Sequence, residues 1–262
     1  MAPTDDRSRR AGERGGAGVP HQAADRAGEV LKRLAPLGGE EARAGMARYG
    51  IRTDDAFGVS VYELRKVARE LGRDHELALA LWATGNHEAR LLASMVDDPA
   101  QVTEAQMEEW AAAFDSWDVC DQVTSNLFDK TPHAWDKVVA WSASPDEWVK
   151  RAAFATAAAL AVQDKTAADE PFVRLLELCR REAGDDRNYV KKAVNWALRN
   201  IGKRDARLHA AAVETAETIL AEGERLAAED RRDPAARAMR WVARDALREL
   251  RSDKVVARVR RR

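Results

Sequence analysis

The 262-residue chain is 45% apolar, long enough for one large or two small domains and apolar enough to bury a sizeable core. Its 43 Lys and Arg nearly cancel its 44 Asp and Glu, which excludes a globally basic nucleic-acid cage or an acidic solvating tail and requires any charged partner to be met by a local patch. Cys120 and Cys179 lie in separate segments without CxxC spacing, which excludes a disulfide framework and the common thiolate zinc sites.

In chain order, residues 1–24 combine Gly, Pro and mixed charge with almost no large apolar side chains, and read as a loose tail. From Asp25 onward apolar residues recur at helical spacing, and the alternation expected of strands is nearly absent; GVSV at 58–61 reads as a loop entering a helix. Helical segments follow over 61–71, 76–83, 87–96, 104–114, 117–128, 133–142, 147–162 and 170–182. The clearest helix spans 188–201, with Val190, Ala193, Val194, Ala197, Leu198 and Ile201 on one stripe and Gly202 as its stop. A further segment covers 207–228, and the same stripe returns in Met239, Val242, Ala243, Ala246, Leu247 and Leu250. Connectors such as Asp97-Asp98-Pro99 and Ser144-Pro145-Asp146 punctuate these helices, so pairs of helices in units of roughly 40 residues fit an all-α, HEAT-like superhelix over 25–250. A compact helix bundle is the alternative, because spacing does not fix how helices stack. Residues 251–262 hold six bases against one acid and read as a basic C-terminal tail. No apolar run reaches the roughly 18 residues needed to cross a bilayer, so the expected compartment is a reducing cytoplasm, without a membrane partner.

Charge is uneven within the helical region. Residues 85–136 hold eleven acids against two bases, whereas residues 179–204 hold eight bases against three acids, which makes the second stretch the candidate anion-facing patch.

Three places set a polar or aromatic residue against the pattern of its helix. Trp196 lies ~140° from the centre of its apolar stripe, on a face shared with Tyr189, Lys192, Arg199 and Lys203. An aromatic can stack on a base or sugar while cations meet phosphates; cation–π packing against a neighbouring repeat is the plainer alternative. Trp117 and Asp121 are i, i+4 neighbours opposite the stripe of Val119, Cys120, Val123 and Leu127, a side they share with Thr124 and Phe128. A Trp beside this Asp lowers local polarity and strengthens a carboxylate able to stabilise positive charge or hold a water, unless the Asp is merely solvated. Arg151 sits in WVKRAAFATAAALAV, a helix with little circumference to spare for water, so its guanidinium needs either a structural carboxylate or a phosphate in a polar cleft.

His75, His87, His133 and His209 occur singly and read as surface or helix-end residues, so no metal is implied. There is no glycine-rich phosphate loop or GxSxG turn, no cofactor is implied, and Cys120 reads as a packed thiol.

SWDVCDQV around Trp117 and Asp121, WVKRAAF around Arg151 and NYVKKAVNWALRNIGKR around Trp196, in this order and spacing, resemble the AlkD-like DNA alkylation repair family. YGIRTDDAFGVSVYELRKVARELG and HEARLLASMVDDP extend the resemblance over roughly residues 28–250. The surroundings of Tyr49, RYGIRT, differ from AlkD itself, which points to a related branch. The resemblance implies a HEAT-like superhelix with a concave basic face, and a monofunctional glycosylase that removes N3- and N7-alkylated purines from duplex DNA without a base-flipping pocket. It assigns the catalytic group as Asp121, Trp117, Arg151 and Trp196; the helix face of Tyr189, Lys192, Arg199 and Lys203 is expected to turn toward DNA, and without a symmetry or heptad signal the expected state is a monomer, associated with the nucleoid when DNA-bound. A noncatalytic helical-repeat module that binds DNA or a protein is the competing expectation.

Overall fold

The computed structural model describes residues 21–261. They form α1 (His21–Leu34), a 3₁₀ turn at Ala35–Leu37, α2 (Glu40–Arg48), α3 (Val61–Leu71), α4 (His75–Ala83), α5 (His87–Val96), α6 (Glu104–Ala112), α7 (Trp117–Asn126) and a 3₁₀ turn at Phe128–Lys130. The remainder is α8 (Ala134–Trp141), α9 (Glu147–Gln163), α10 (Asp169–Glu182), α11 (Asn188–Ile201), α12 (Ala206–Glu229), α13 (Pro234–Leu250) and α14 (Asp253–Val259), with no strand among the described residues.

Helix starts are chemically marked. Ser60, Asp74, Asn86, Thr103, Asp146, Asp205 and Asp233 each accept a hydrogen bond from a first-turn backbone N–H, and Pro234 opens α13 where a missing N–H costs nothing. Gly202 ends α11 with φ −67°, an ordinary right-handed conformation, so the need for glycine is steric: a Cβ there would lie 2.7 Å from a Leu250 methyl and 2.8 Å from Ala212.

The helices stack in two rows. In the first, α3 packs on α5, α5 on α7, α7 on α9, α9 on α11 and α11 on α13; in the second, α4 covers α5, α6 and α8 cover α9, α10 covers α11 and α12 covers α13. This is the HEAT-like array expected from the helix spacing rather than a closed bundle. Between the rows lies a core with Trp82 stacked on Trp110 at 4.1 Å, extended by Phe114, Phe128 and Trp141. The alanine run of α9, buried around nearly its whole circumference, lets neighbouring helices approach closely.

Both expected tails are revised where structure is described. Residues 21–24 belong to α1, with Ala23 buried, and the rest of the expected N-terminal tail lies outside the described residues. Within 251–262, residues 253–259 form α14, held to the domain by buried Val255 and Val259, so most of this basic run is anchored helix.

Candidate active site

The residues singled out from the sequence converge on the first row of helices. A cleft of about 790 Å³ is lined by Trp117 and Asp121 from α7, Arg151 from α9, Tyr189, Lys192, Trp196 and Arg199 from α11, and Trp241 and Asp245 from α13. Arg48, Tyr49 and Gly50 close one side. Lys203 does not line it.

At the floor, Arg151 grips Asp121 with two parallel bonds: Nε donates to Oδ1 at 3.0 Å and Nη2 to Oδ2 at 2.8 Å. The third guanidinium nitrogen, Nη1, donates to the Tyr189 carbonyl at 2.7 Å, which ties α7, α9 and α11 together through one side chain. Arg151 is 7% exposed and Asp121 18%, so the carboxylate keeps an edge toward the cleft while its partner lies behind it. Burial pushes the Asp121 carboxyl above the ordinary carboxylate value, and the Arg151 cation opposes that shift. For Arg151, burial works downward but the facing carboxylate outweighs it and holds the guanidinium above its ordinary value. Arg151 therefore meets the first of its two sequence expectations, the bridge to a carboxylate; it forms the back wall of the cleft, but with its nitrogens engaged by Asp121 and the Tyr189 carbonyl it offers no free fork to a phosphate.

Trp117 donates from Nε1 to the Tyr49 carbonyl at 3.0 Å, pinning the 49–50 segment to the start of α7. Gly50 has φ +73°, a left-handed backbone that favours glycine, and a Cβ there would lie 2.6 Å from the Tyr189 hydroxyl, so a side chain would also have to displace the tip of that ring. Behind α7, buried His87 pairs with Asp118 at 2.9 Å, and Ser116 donates to the same carboxylate at 2.8 Å. Burial acts to raise Asp118, but His87 and Ser116 outweigh it and hold the group below the ordinary carboxylate value. The surface reading of His87 is thus corrected: it is a buried anchor for the first turn of α7.

Two further residues of the α7 face are displaced. The helix ends at Asn126 and a 3₁₀ turn follows, which carries Phe128 into the aromatic core; Thr124 is fully buried and its hydroxyl donates to the Asp121 carbonyl at 3.1 Å.

Much of the basic patch is neutralised. Arg199 and Lys203 both pair with Glu249 of α13, Lys203 at 2.7 Å, so neither is a free phosphate ligand. Arg180 pairs with Glu222 at 3.0 Å, Arg187 with Asp185 at 2.6 Å, and Arg204 donates to main-chain carbonyls. Tyr189 packs against Trp148 with ring centroids 4.9 Å apart, so it shapes the wall of the cleft as well as lining it. Among the described residues, Lys192 and Arg48 line the cleft without a carboxylate partner. The acidic stretch is absorbed in the same way: Glu88 accepts the backbone N–H groups of Phe57, Gly58 and Val59, Asp115 pairs with Arg90, and Glu104 and Glu108 share Lys137.

Sequence reasoning missed Trp241 and Arg48. Trp241 satisfies the criterion that found Trp196, an aromatic opposite an apolar stripe with bases at helical spacing, here Arg237, Arg244 and Arg248. Arg48 carries no such signal, since only folding brings α2 to the mouth of the cleft. Cys120 is buried as expected, and burial raises its thiol far above the ordinary range, which removes it as a nucleophile.

Residues 30–250 match the family model of the DNA alkylation repair enzymes. The chain belongs to this family. No curated protein matches it. Among solved structures, it is similar to a protein described as one of a new family related to the HEAT-like repeat DNA glycosylases, with affinity for branched DNA structures. The two share 25% identity with a TM-score of 0.66, over 72% of this chain and 81% of that one. The HEAT-like repeat fold follows from both the helix rows and this likeness, and the family match covers every residue of the Trp117, Asp121, Arg151 and Trp196 group.

Proposed function

We propose that the protein is a DNA glycosylase that releases positively charged N3- and N7-alkylpurines from duplex DNA, with Asp121 as the group that acts on the sugar. The observation that carries this reading is the convergence of Trp117, Asp121, Arg151 and Trp196, each standing out against the pattern of its own helix, on one cleft whose floor is a carboxylate with one edge open.

An N3- or N7-alkylated purine already carries positive charge, so it leaves without prior protonation. As the C1′–N9 bond breaks, its electron pair neutralises the ring cation, and positive charge develops on the deoxyribose. The Asp121 carboxylate stabilises that charge and orients the water whose oxygen bonds to C1′; the water's proton passes to the carboxylate or to solvent. Arg151 positions Asp121 and, by opposing the burial shift, favours its ionised form. Trp117 and Trp196 bracket the sugar edge of the lesion nucleotide, while Lys192 and Arg48 meet flanking phosphates. Chemistry directed at the sugar and at a base that is already a good leaving group needs no enclosed pocket for a flipped base.

A second reading is DNA binding without base release. It is favoured by the bidentate Asp121–Arg151 pair, which neutralises the carboxylate in the free protein, and by the related protein's affinity for branched DNA. Incubation with methylated duplex, followed by chromatography of the liberated bases, separates the two. The glycosylase reading expects 3-methyladenine or 7-methylguanine in the supernatant, and expects Asp121→Asn to bind the duplex while lowering release on the order of 100-fold or more. Tight, salt-sensitive binding with no base released by the wild-type protein overturns it in favour of the second reading.

A further inference from the structure

On α13, the face opposite the buried stripe carries Arg237, Trp241, Arg244 and Arg248, all exposed. At 100° per residue the four fall within roughly 60° of one another and extend over roughly 16 Å of helix. With Arg240 and Asp245 they line a groove of about 500 Å³, and Trp241 and Asp245 also line the cleft described above, so the two depressions adjoin at these side chains. Trp241 is 40% exposed, with Lys191 Nζ 5.8 Å from its ring centroid. Lys191 covers part of the indole, and the rest stays open to solvent where the arginines of the groove stand.

We propose that this groove is a binding track for a single DNA strand leaving the end of the cleft, with Trp241 stacking on an unpaired base and the arginines meeting its phosphates. This rests on the reading of the cleft as a DNA site. Two observations select an unpaired strand over duplex. An exposed indole can stack only on a base whose face is free, and arginines one to two helical turns apart along a straight row suit the backbone of one extended strand. Arg237 has no carboxylate partner among the described residues. Arg244 pairs with Glu224 at 2.6 Å and Arg248 pairs with Asp245, but both arginines are well exposed, and pairs of this kind are weak enough for a phosphate to displace. Asp245 is the carboxylate of the groove; its pairing with Arg248, and its 3.9 Å approach to Arg199, reduce its repulsion of a phosphate chain.

The test measures anisotropy of three labelled DNAs, a blunt duplex, the same duplex with a ten-nucleotide overhang, and the overhang strand alone, against the full chain. The wild-type protein is expected to bind the overhang duplex about tenfold more tightly than the blunt one, the usual gain from one stacked base with its phosphates. The triple variant R237Q/R244Q/R248Q should lose that gain and lower the salt slope for the single strand by about 2. Trp241→Ala should lose it as well, and Trp241→Phe should keep it. Equal wild-type binding of blunt and overhang duplexes, or variants that weaken both alike, would overturn the proposal; the wild-type comparison decides even if a variant folds poorly. Base release from the blunt methylated duplex is read separately, so its failure removes the glycosylase reading and leaves this inference standing or falling on the overhang alone.

Discussion

Asp121 and Asp129 are both buried carboxylates, eight positions apart in the stretch formed by α7 and the turn that follows it, and they have opposite surroundings. Burial raises both above the ordinary carboxylate value, Asp129 to about 6. Asp121 is held by two guanidinium nitrogens and keeps an edge on the cleft. Asp129 has no exposed side-chain surface, neither of its oxygens accepts a well-directed hydrogen bond, and its cationic neighbour Lys130, 3.4 Å away, is already committed to the carbonyls of Ser125 and Asn126. The difference shows that a perturbed acid alone does not identify a site. What distinguishes Asp121 is a fixed cation behind it and open space in front.

Removing that cation breaks the comparison most sharply, because Arg151→Ala turns Asp121 into a second Asp129. It leaves a buried carboxyl unpaired and frees the Tyr189 carbonyl, so the melting transition is expected to lose about 3–5 kcal/mol of stability, read by denaturant titration. Base release should fall with it, and raising the pH should restore part of the loss, since Asp121 without its cation is ionised only at higher pH.

Gly50→Ala tests the wall of the cleft rather than its floor. The left-handed backbone costs about 1–2 kcal/mol with a side chain, and the new methyl group meets the Tyr189 hydroxyl. The expected result is weakened DNA binding with α7 intact, visible as a raised Kd in a protein whose helical circular dichroism is unchanged.

Asp129 sharpens the comparison from the other side. Because its folded-state value lies above the ordinary carboxylate value, its contribution to stability is fully present below about pH 4. That contribution is lost as pH rises through about 6. The melting temperature of the wild-type protein, measured against Asp129→Asn, should therefore decline between about pH 4 and about pH 6, while base release should not differ between the two proteins. A pH-independent difference between the two proteins would place Asp129 in an environment other than the one described.

The smallest effects are expected along the basic face. Lys192→Ala should reduce the salt slope of duplex binding by about 0.9, the loss of one phosphate contact. Arg199→Ala, whose guanidinium is already paired with Glu249, should change stability by about 1 kcal/mol or less and leave that slope nearly unaltered. Equal slopes for the two variants would erase the distinction between free and neutralised cations.

The sequence made some of this legible and concealed the rest for identifiable reasons. The bounds of α11 were readable because its stripe is regular and Gly202 marks its C-terminal end, although its start at Arg187 carries no capping side chain. Trp117, Asp121, Arg151 and Trp196 could be selected because an aromatic or charge off the apolar stripe is a local property of one helix. Phe128 was misplaced because the change from α-helix to 3₁₀ turn after Asn126 rotates it by an amount no periodicity carries. Arg199 and Lys203 looked free because their partner, Glu249, is 46 or more positions away and meets them only when α13 packs on α11. Local pattern identifies which side chains leave the core, and tertiary packing decides which charges remain unspent.

The most direct test is the pH dependence of single-turnover base release from a duplex carrying one 7-methylguanine, corrected for uncatalysed loss. The rate of the wild-type protein should rise with pH through a single step in the range above the ordinary carboxylate value, as Asp121 ionises, and that step should be absent from Asp121→Asn. Release by Asp121→Asn at the wild-type rate, or a wild-type profile flat through that range, would contradict the account.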